Sequence, residues 1–296
     1  MNDKYAIGAD IGGSHISSAV VDLETGKFCT EPVVTPVDNQ ASATEILEGW
    51  CSNIKATIAK SGMAVKRVGF AFPGPFDYLR GISLISGVSK FDRIFGLDVG
   101  ESLKSQLGPE AVDMKFRYVN DASAFALGEC LGGAARDDDR VVALTLGTGV
   151  GSGFVASRRL VDHSDDVPAN GWVYCLPFED GIVDDAFSTR WIIRRYKELT
   201  GREVSGAKEV ADLYDAEESA RQLFEEYGER MAAFVAPLLE KFRSRTLVLG
   251  GNISRAYPLF EKPLTAGLRS RGLEIYVKPS ELLDKAAMTG AASLFV

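Results

Sequence analysis

Cysteine, histidine, long apolar runs and basic clusters are all scarce in this chain, and each scarcity excludes something. The four cysteines stand at 29, 51, 130 and 175 with no close spacing, and only His15 and His163 could join them, so a Cys/His zinc site is not expected. The thiols read as reduced and mostly buried. No apolar run approaches the roughly 20 residues of a membrane helix, and no basic segment followed by an apolar stretch marks an export signal, so a cytoplasmic location is expected. No more than two Lys or Arg stand side by side and the formal net charge is -8, which argues against a nucleic-acid surface, where a basic stripe must replace counterions. Small-molecule partners are favoured over nucleic acid or membrane.

What is present is ordinary for a globular protein: 296 residues, 46% hydrophobic and 25% charged, a length that favours two domains. The opening reads as strand Tyr5 to Asp10, a glycine turn, strand His15 to Leu23 and a third strand near Phe28 to Val34, an antiparallel meander. "SATE" at Ser42 to Glu45 has the form of a capping box, and Ile46, Trp50, Ile54 and Ile58 continue at helical spacing to Ser61-Gly62. A buried strand, Val68 to Phe72, then stops at Pro73-Gly74, where a turn is forced. From Arg140, "RVVALTLGTGVGSGFVAS" repeats the opening pattern of apolar strand, glycine turn at Gly147 to Gly151, and second strand. One architecture used twice is the expectation. A long helical stripe from Ala220 to Phe242, including Leu238, reads as core, and Asp137 to Arg140 as a solvated turn.

The opening turn poses a chemical question, because Asp10 stands just before Gly12-Gly13. Paired glycines let a backbone approach a phosphate closely, yet a carboxylate repels it. Neither common nucleotide fingerprint applies: His15 follows Ser14 where a Walker loop needs Lys before its hydroxyl residue, and Ser152 falls where a third glycine should be in "GTGVGSG". Each turn alone could be a plain hairpin connection. "YVNDASAFALGEC" places Asn120-Asp121 between a strand, Met114 to Val119, and a helix beginning at Ala122. Helix capping by itself would explain the pair, but a carboxylate at a strand's carboxyl end can also accept a proton from a bound hydroxyl.

The segments "DIGGS", "FPGPFD", "VNDASAFALGE", "LGTGVGSGFV" and "LVLGGNIS" resemble, in order and spacing, the ROK family of sugar kinases and sugar-responsive repressors. The first strand starts near Tyr5, leaving no room for the repressors' helix-turn-helix, which favours the kinase branch. The resemblance implies an α/β, two-lobed actin-like ATPase (ribonuclease H-like) fold, each lobe a mixed sheet with flanking helices. The small lobe would take residues 1-118 plus 285-296, the larger lobe 119-284, with nucleotide and sugar in the cleft between them. It also implies roles. Asp121 matches the general base, and Asn120, Pro73 and Gly74 match the sugar pocket. Gly12, Gly13 and Ser14 match one phosphate turn, Gly147, Thr148 and Gly149 the other, and Gly250, Gly251 and Asn252 the turn beside the adenosine. Asp10 would then hold magnesium through its waters, since that ion dehydrates reluctantly, and would attract the metal-phosphate complex rather than bare phosphate.

The chain departs from the family between about 158 and 190. Where the family has a zinc loop, only Cys175 of its cysteines remains, with Pro177 and Ile182 at the other positions, so no structural zinc is expected and Trp172, Tyr174 and Phe178 would hold the loop by packing. Trp172 and Ala169 replace a sugar-binding His and Glu, and Asp184 replaces a second sugar-binding Glu. His15 stands where the family often has Lys, and Lys90 in "GVSKF" reads as a surface lysine or one reaching the substrate pocket. The expected function is an ATP-dependent sugar kinase using ATP and magnesium, acting on a hexose or hexose derivative and forming a possible homodimer. A non-catalytic sugar- or nucleotide-sensing protein is the alternative, and a filament-forming ATPase a weaker one.

Overall fold

Residues 4–87 and 90–296 are described by a computed structural model of the chain. They fall into two compact units, Met1–Gly133 with Asp284–Val296, and Ala134–Leu283.

In the first unit, β1 (Tyr5–Ile11), β2 (His15–Asp22) and β3 (Val33–Pro36) form the antiparallel meander. The third strand lies downstream of the expected stretch. Phe28 makes only an isolated bridge to Val21, and Pro32, which has no N–H to give a ladder, stands just before the strand. Next comes α1 (Ala43–Ser61), started by the capping box: the Ser42 hydroxyl accepts from Glu45 N, the Glu45 carboxylate accepts from Ser42 N, and Gly62 closes the helix in the left-handed region. Its apolar face buries Ile46, Trp50 and Ile54 completely. A fully buried polar residue, Asn53, ties this helix to the meander by accepting from Ser18 Oγ at 2.6 Å and donating to Val33 O at 3.0 Å and Thr35 Oγ1 at 2.9 Å. The chain continues through β4 (Arg67–Phe72), the short hairpin β5 (Phe76–Asp77) and β6 (Ile82–Ser83), α2 (Val99–Leu107), β7 (Lys115–Asn120) and α3 (Asp121–Gly132). The sheet order is β3-β2-β1-β4-β7, with β4 parallel to both β1 and β7.

The second unit repeats this topology. Strands β8 (Arg140–Leu146), β9 (Val150–Ala156) and β10 (Arg159–Leu160) form its meander, followed by the hairpin β11 (Pro177–Phe178) and β12 (Gly181–Ile182). Helices α4 (Val183–Phe187), α5 (Thr189–Thr200), α6 (Ala207–Asp212) and α7 (Glu218–Phe242) precede β13 (Thr246–Gly250), α8 (Tyr257–Arg269) and β14 (Tyr276–Pro279). The order β10-β9-β8-β13-β14, with β13 parallel to β8 and β14, mirrors the first sheet. The long stripe on α7 is core, each buried aromatic contributing about 1.5–3 kcal/mol, although Leu239 is buried in place of Leu238. Phe178 holds the loop that lacks the cysteines by packing on Phe187 and Phe234 at 5.1 and 5.8 Å, while Tyr174 stays exposed. Asp137 to Arg140 is more than a solvated turn. Asp138 accepts from Lys278 Nζ and Thr246 Oγ1, both at 2.6 Å, fastening β13 and β14 to the start of the unit.

The chain returns to the first unit as α9 (Ala286–Ser293), packed so closely on α3 that a Cβ on Gly290 would stand 1.7 Å from the Ala124 carbonyl oxygen. This contact keeps α3 in the first unit, so the division falls after Gly133 rather than near residue 118. None of the four cysteines is in a disulfide; Cys51 and Cys130 are buried, Cys29 is half-buried and Cys175 is exposed, so the expectation of mostly buried thiols is met for only part of them.

Candidate active site

In the first unit, β1, β4 and β7 are neighbouring parallel strands that end together. Asp10 is level with Ala71, and Phe72 with Asn120. Ligands of α/β sheets bind outside such carboxyl ends, and here that edge carries Asp10, the Gly12-Gly13-Ser14 turn, Pro73-Gly74 and Asn120-Asp121.

The turn after Asp10 is braced from three sides. Gly12 N donates to His15 O at 2.9 Å, Val37 N donates to Ser14 O at 2.9 Å, and Asn39 Nδ2 donates to Gly13 O. Asp10 is half-buried and its side chain has no hydrogen-bond partner among the described residues. Burial, with the nearby charges of Asp121 and Asp284, pushes its carboxyl up to about 7. An unpartnered acid beside two others is a place where a cation is favourable. Among the described residues no group of three or more His, Cys, Asp or Glu could hold a metal ion.

Asn120 and Asp121 divide the work that sequence reasoning had left shared. Asn120 is the helix cap: its Oδ1 accepts from Ala122 N at 3.1 Å and Ser123 N at 3.3 Å. One hydrogen of its Nδ2 goes to Tyr78 Oη at 3.4 Å, and Tyr78 Oη donates to Phe72 O at 3.1 Å. The amide is therefore held in one orientation. Asp121, at the first helical position, accepts from Ala122 N through Oδ1 at 2.9 Å. Surrounding protein raises its pKa above the ordinary carboxylate value although one edge of the side chain is open to solvent, while the hydrogen bonds from Ala122 and Asn120 oppose the rise.

In the second unit the corresponding edge carries Gly147-Thr148-Gly149 after β8 and Gly250-Gly251-Asn252 after β13, with Gly250 level with Thr145. Gly251 adopts φ +79°, and a Cβ there would stand 2.4 Å from Leu146 O, so no other residue fits. Asp184, expected to contact the sugar, has both carboxylate oxygens engaged by its own unit. Oδ1 accepts from Val150 N at 2.7 Å and Oδ2 from Arg190 Nη2 at 2.5 Å, while Arg190 Nη1 donates to Thr148 O at 3.1 Å and Thr189 N to Gly147 O at 2.8 Å. Asp184, Thr189 and Arg190 thus clamp the glycine turn. Thr189 also borders a cavity of about 760 Å³ lined by Ser205, Gly206, Asn252, Arg255 and Pro258, a volume within the range of small-molecule sites.

The structure brings Asp10, Gly12, Gly13, Ser14, Pro73, Gly74, Asn120 and Asp121 to one edge of the first unit, and Gly147, Thr148, Gly149, Gly250, Gly251 and Asn252 to one edge of the second. Asn39, Tyr78, Thr189 and Arg190 escaped sequence reasoning, because each has a partner far along the chain and no local pattern marks them.

A model of the ROK family matches residues 6–296. The chain is 28% identical to an N-acetyl-D-glucosamine kinase of Haemophilus influenzae, over 98% of both chains. Its fold resembles a ROK hexokinase from Thermus thermophilus, with TM-score 0.82 and 23% identity over 98% of this chain and 97% of that one. It also resembles a ROK family glucokinase from Streptomyces griseus in complex with glucose and AMPPNP, with TM-score 0.74 and 24% identity over 98% of both.

Proposed function

The chain belongs to the ROK family, and from that premise we propose that it is an ATP-dependent sugar kinase, transferring the γ-phosphate of ATP to a hydroxyl of a hexose or hexose derivative. The observation that carries this reading is the pairing of a held Asn120 amide with the Asp121 carboxylate at the same sheet edge as the first glycine turn.

The Asn120 N–H donates to an acceptor hydroxyl's lone pair and orients it, because the Asn120 oxygen is already taken by the helix. The Asp121 carboxylate takes the hydroxyl proton as the sugar oxygen bonds to the γ-phosphorus and the bond from that phosphorus to the bridging oxygen breaks, releasing ADP. A raised pKa makes Asp121 a better proton acceptor than an ordinary carboxylate. The glycine turns present backbone to the phosphates, and the cavity beside Asn252 suits the base of the nucleotide. Magnesium, held by Asp10 through water, would supply charge stabilisation on the phosphate oxygens. Asp184 acts on this reading through the second turn and leaves the sugar to the first unit.

The test is ADP release with magnesium-ATP across hexoses, hexosamines and N-acylated hexosamines, with Asp121→Asn as control. Turnover on a sugar that disappears in the control supports the kinase and identifies its substrate. Retained sugar or nucleotide binding with no turnover above the control would instead make this a sensing protein.

A further inference from the structure

The first glycine turn has a charge problem. It leads into strand β2 rather than a helix, so no helix dipole favours an anion there, and Asp10, Asp121 and Asp284 add negative charge nearby. Within the turn, His15 and Ser14 are engaged with each other, Ser14 Oγ lying 3.2 Å from His15 Nδ1. Apart from a bound magnesium, the turn itself offers a phosphate no positive side chain.

Lys90 offers one. Its side chain extends across the turn, so that a Cβ on Gly13 would stand 3.6 Å from both Lys90 Cε and Nζ. It is exposed and makes no hydrogen bond or ion pair among the described residues. Its position is fixed by two neighbours. Phe91 is buried against Trp50 and Phe72, with ring centroids 5.6 and 6.5 Å away, and has the left-handed backbone that turns the chain there. Asn39 accepts from Phe91 N through its carbonyl at 3.0 Å while its side chain donates to Gly13 O, joining the Lys90 segment to the glycine turn through one residue. The lysine is therefore placed by the tertiary structure although it is distant in sequence from the turn.

We propose that Lys90 contacts the γ-phosphate of ATP at the Gly12-Gly13-Ser14 turn, supplying the positive side chain which the turn itself lacks. This rests on the kinase reading above. The ammonium makes a charge-assisted hydrogen bond to a γ-phosphate oxygen, an interaction which ATP offers and ADP does not.

The experiment compares binding of AMPPNP and ADP, each with magnesium, to wild type, Lys90→Met and Lys90→Arg by titration calorimetry, together with kcat and both KM values. Thermal unfolding serves as the control for folding, which an exposed side chain should leave unchanged. Lys90→Met is expected to weaken AMPPNP binding about 10- to 100-fold and ADP binding by less than about 3-fold, with Lys90→Arg restoring most of the loss. Equal losses for the two nucleotides, or a change confined to the KM for sugar, would overturn the assignment of Lys90 and leave the kinase reading intact. A wild-type protein that binds neither nucleotide and turns over no sugar would overturn both.

Discussion

Replacing Asp121 by Asn isolates proton acceptance from every other role of the side chain. The variant keeps an oxygen for Ala122 N, and the helix keeps its cap, because the cap is Asn120. What α3 loses is a negative charge in its first turn, worth about 0.3–1 kcal/mol, and removal of the repulsion between Asp121 and Asp10 offsets part of that. At about 2–4 °C per kcal/mol for a protein somewhat smaller than this one, Tm should change by less than about 4 °C. Turnover should fall by about 10²–10⁴, equivalent to about 2.7–5.5 kcal/mol of barrier, with KM for sugar nearly unchanged. The pH profile provides a second reading. Burial raises the Asp121 pKa, so the wild-type rate should rise with pH through a value above the ordinary carboxylate range, and the variant's residual rate should lose that limb. Coupled ADP release from pH 5 to 9 measures both effects. A variant retaining a tenth or more of wild-type turnover, or one with the acidic limb intact, would remove Asp121 as the base.

Three further outcomes follow from the same geometry. Asp10→Asn should abolish magnesium-dependent turnover yet stabilise the nucleotide-free protein at pH 8: the folded pKa of Asp10 is raised to about 7, so the native state loses stability as pH rises towards and through that value. The gain in Tm should shrink towards pH 5 and vanish below pH about 4, and a pH-independent gain would refute the cause. Asp184→Ala frees Val150 N and Arg190 and should raise KM for magnesium-ATP about 10- to 100-fold with little change for sugar, whereas the reverse pattern would restore Asp184 to the sugar pocket. Asn53→Ala leaves Val33 O and Thr35 without their buried partner and Ser18 with Thr57 alone, and should cost about 2–3 kcal/mol, read as a drop of about 4–12 °C in Tm; an unchanged Tm would show that the network carries no net stability.

By itself the sequence determined the local pieces of this protein. The capping box of α1, both glycine turns, the repeated meander and the Asn120-Asp121 step are written in neighbouring residues, whose conformational limits and hydrogen-bonding capacity act over a few positions. The tertiary structure decided which chemistry those pieces can perform. It made Asn120 the cap, drew Tyr78 onto the Asn120 amide, turned Asp184 towards the second glycine turn, and laid Lys90 beside the first. It also returned α9 to the first unit, where Gly290 allows backbone contact with α3. Each of these depends on groups brought together from distant parts of the chain, and a hydrogen bond or close backbone approach between such groups leaves no periodicity in the sequence from which to read it.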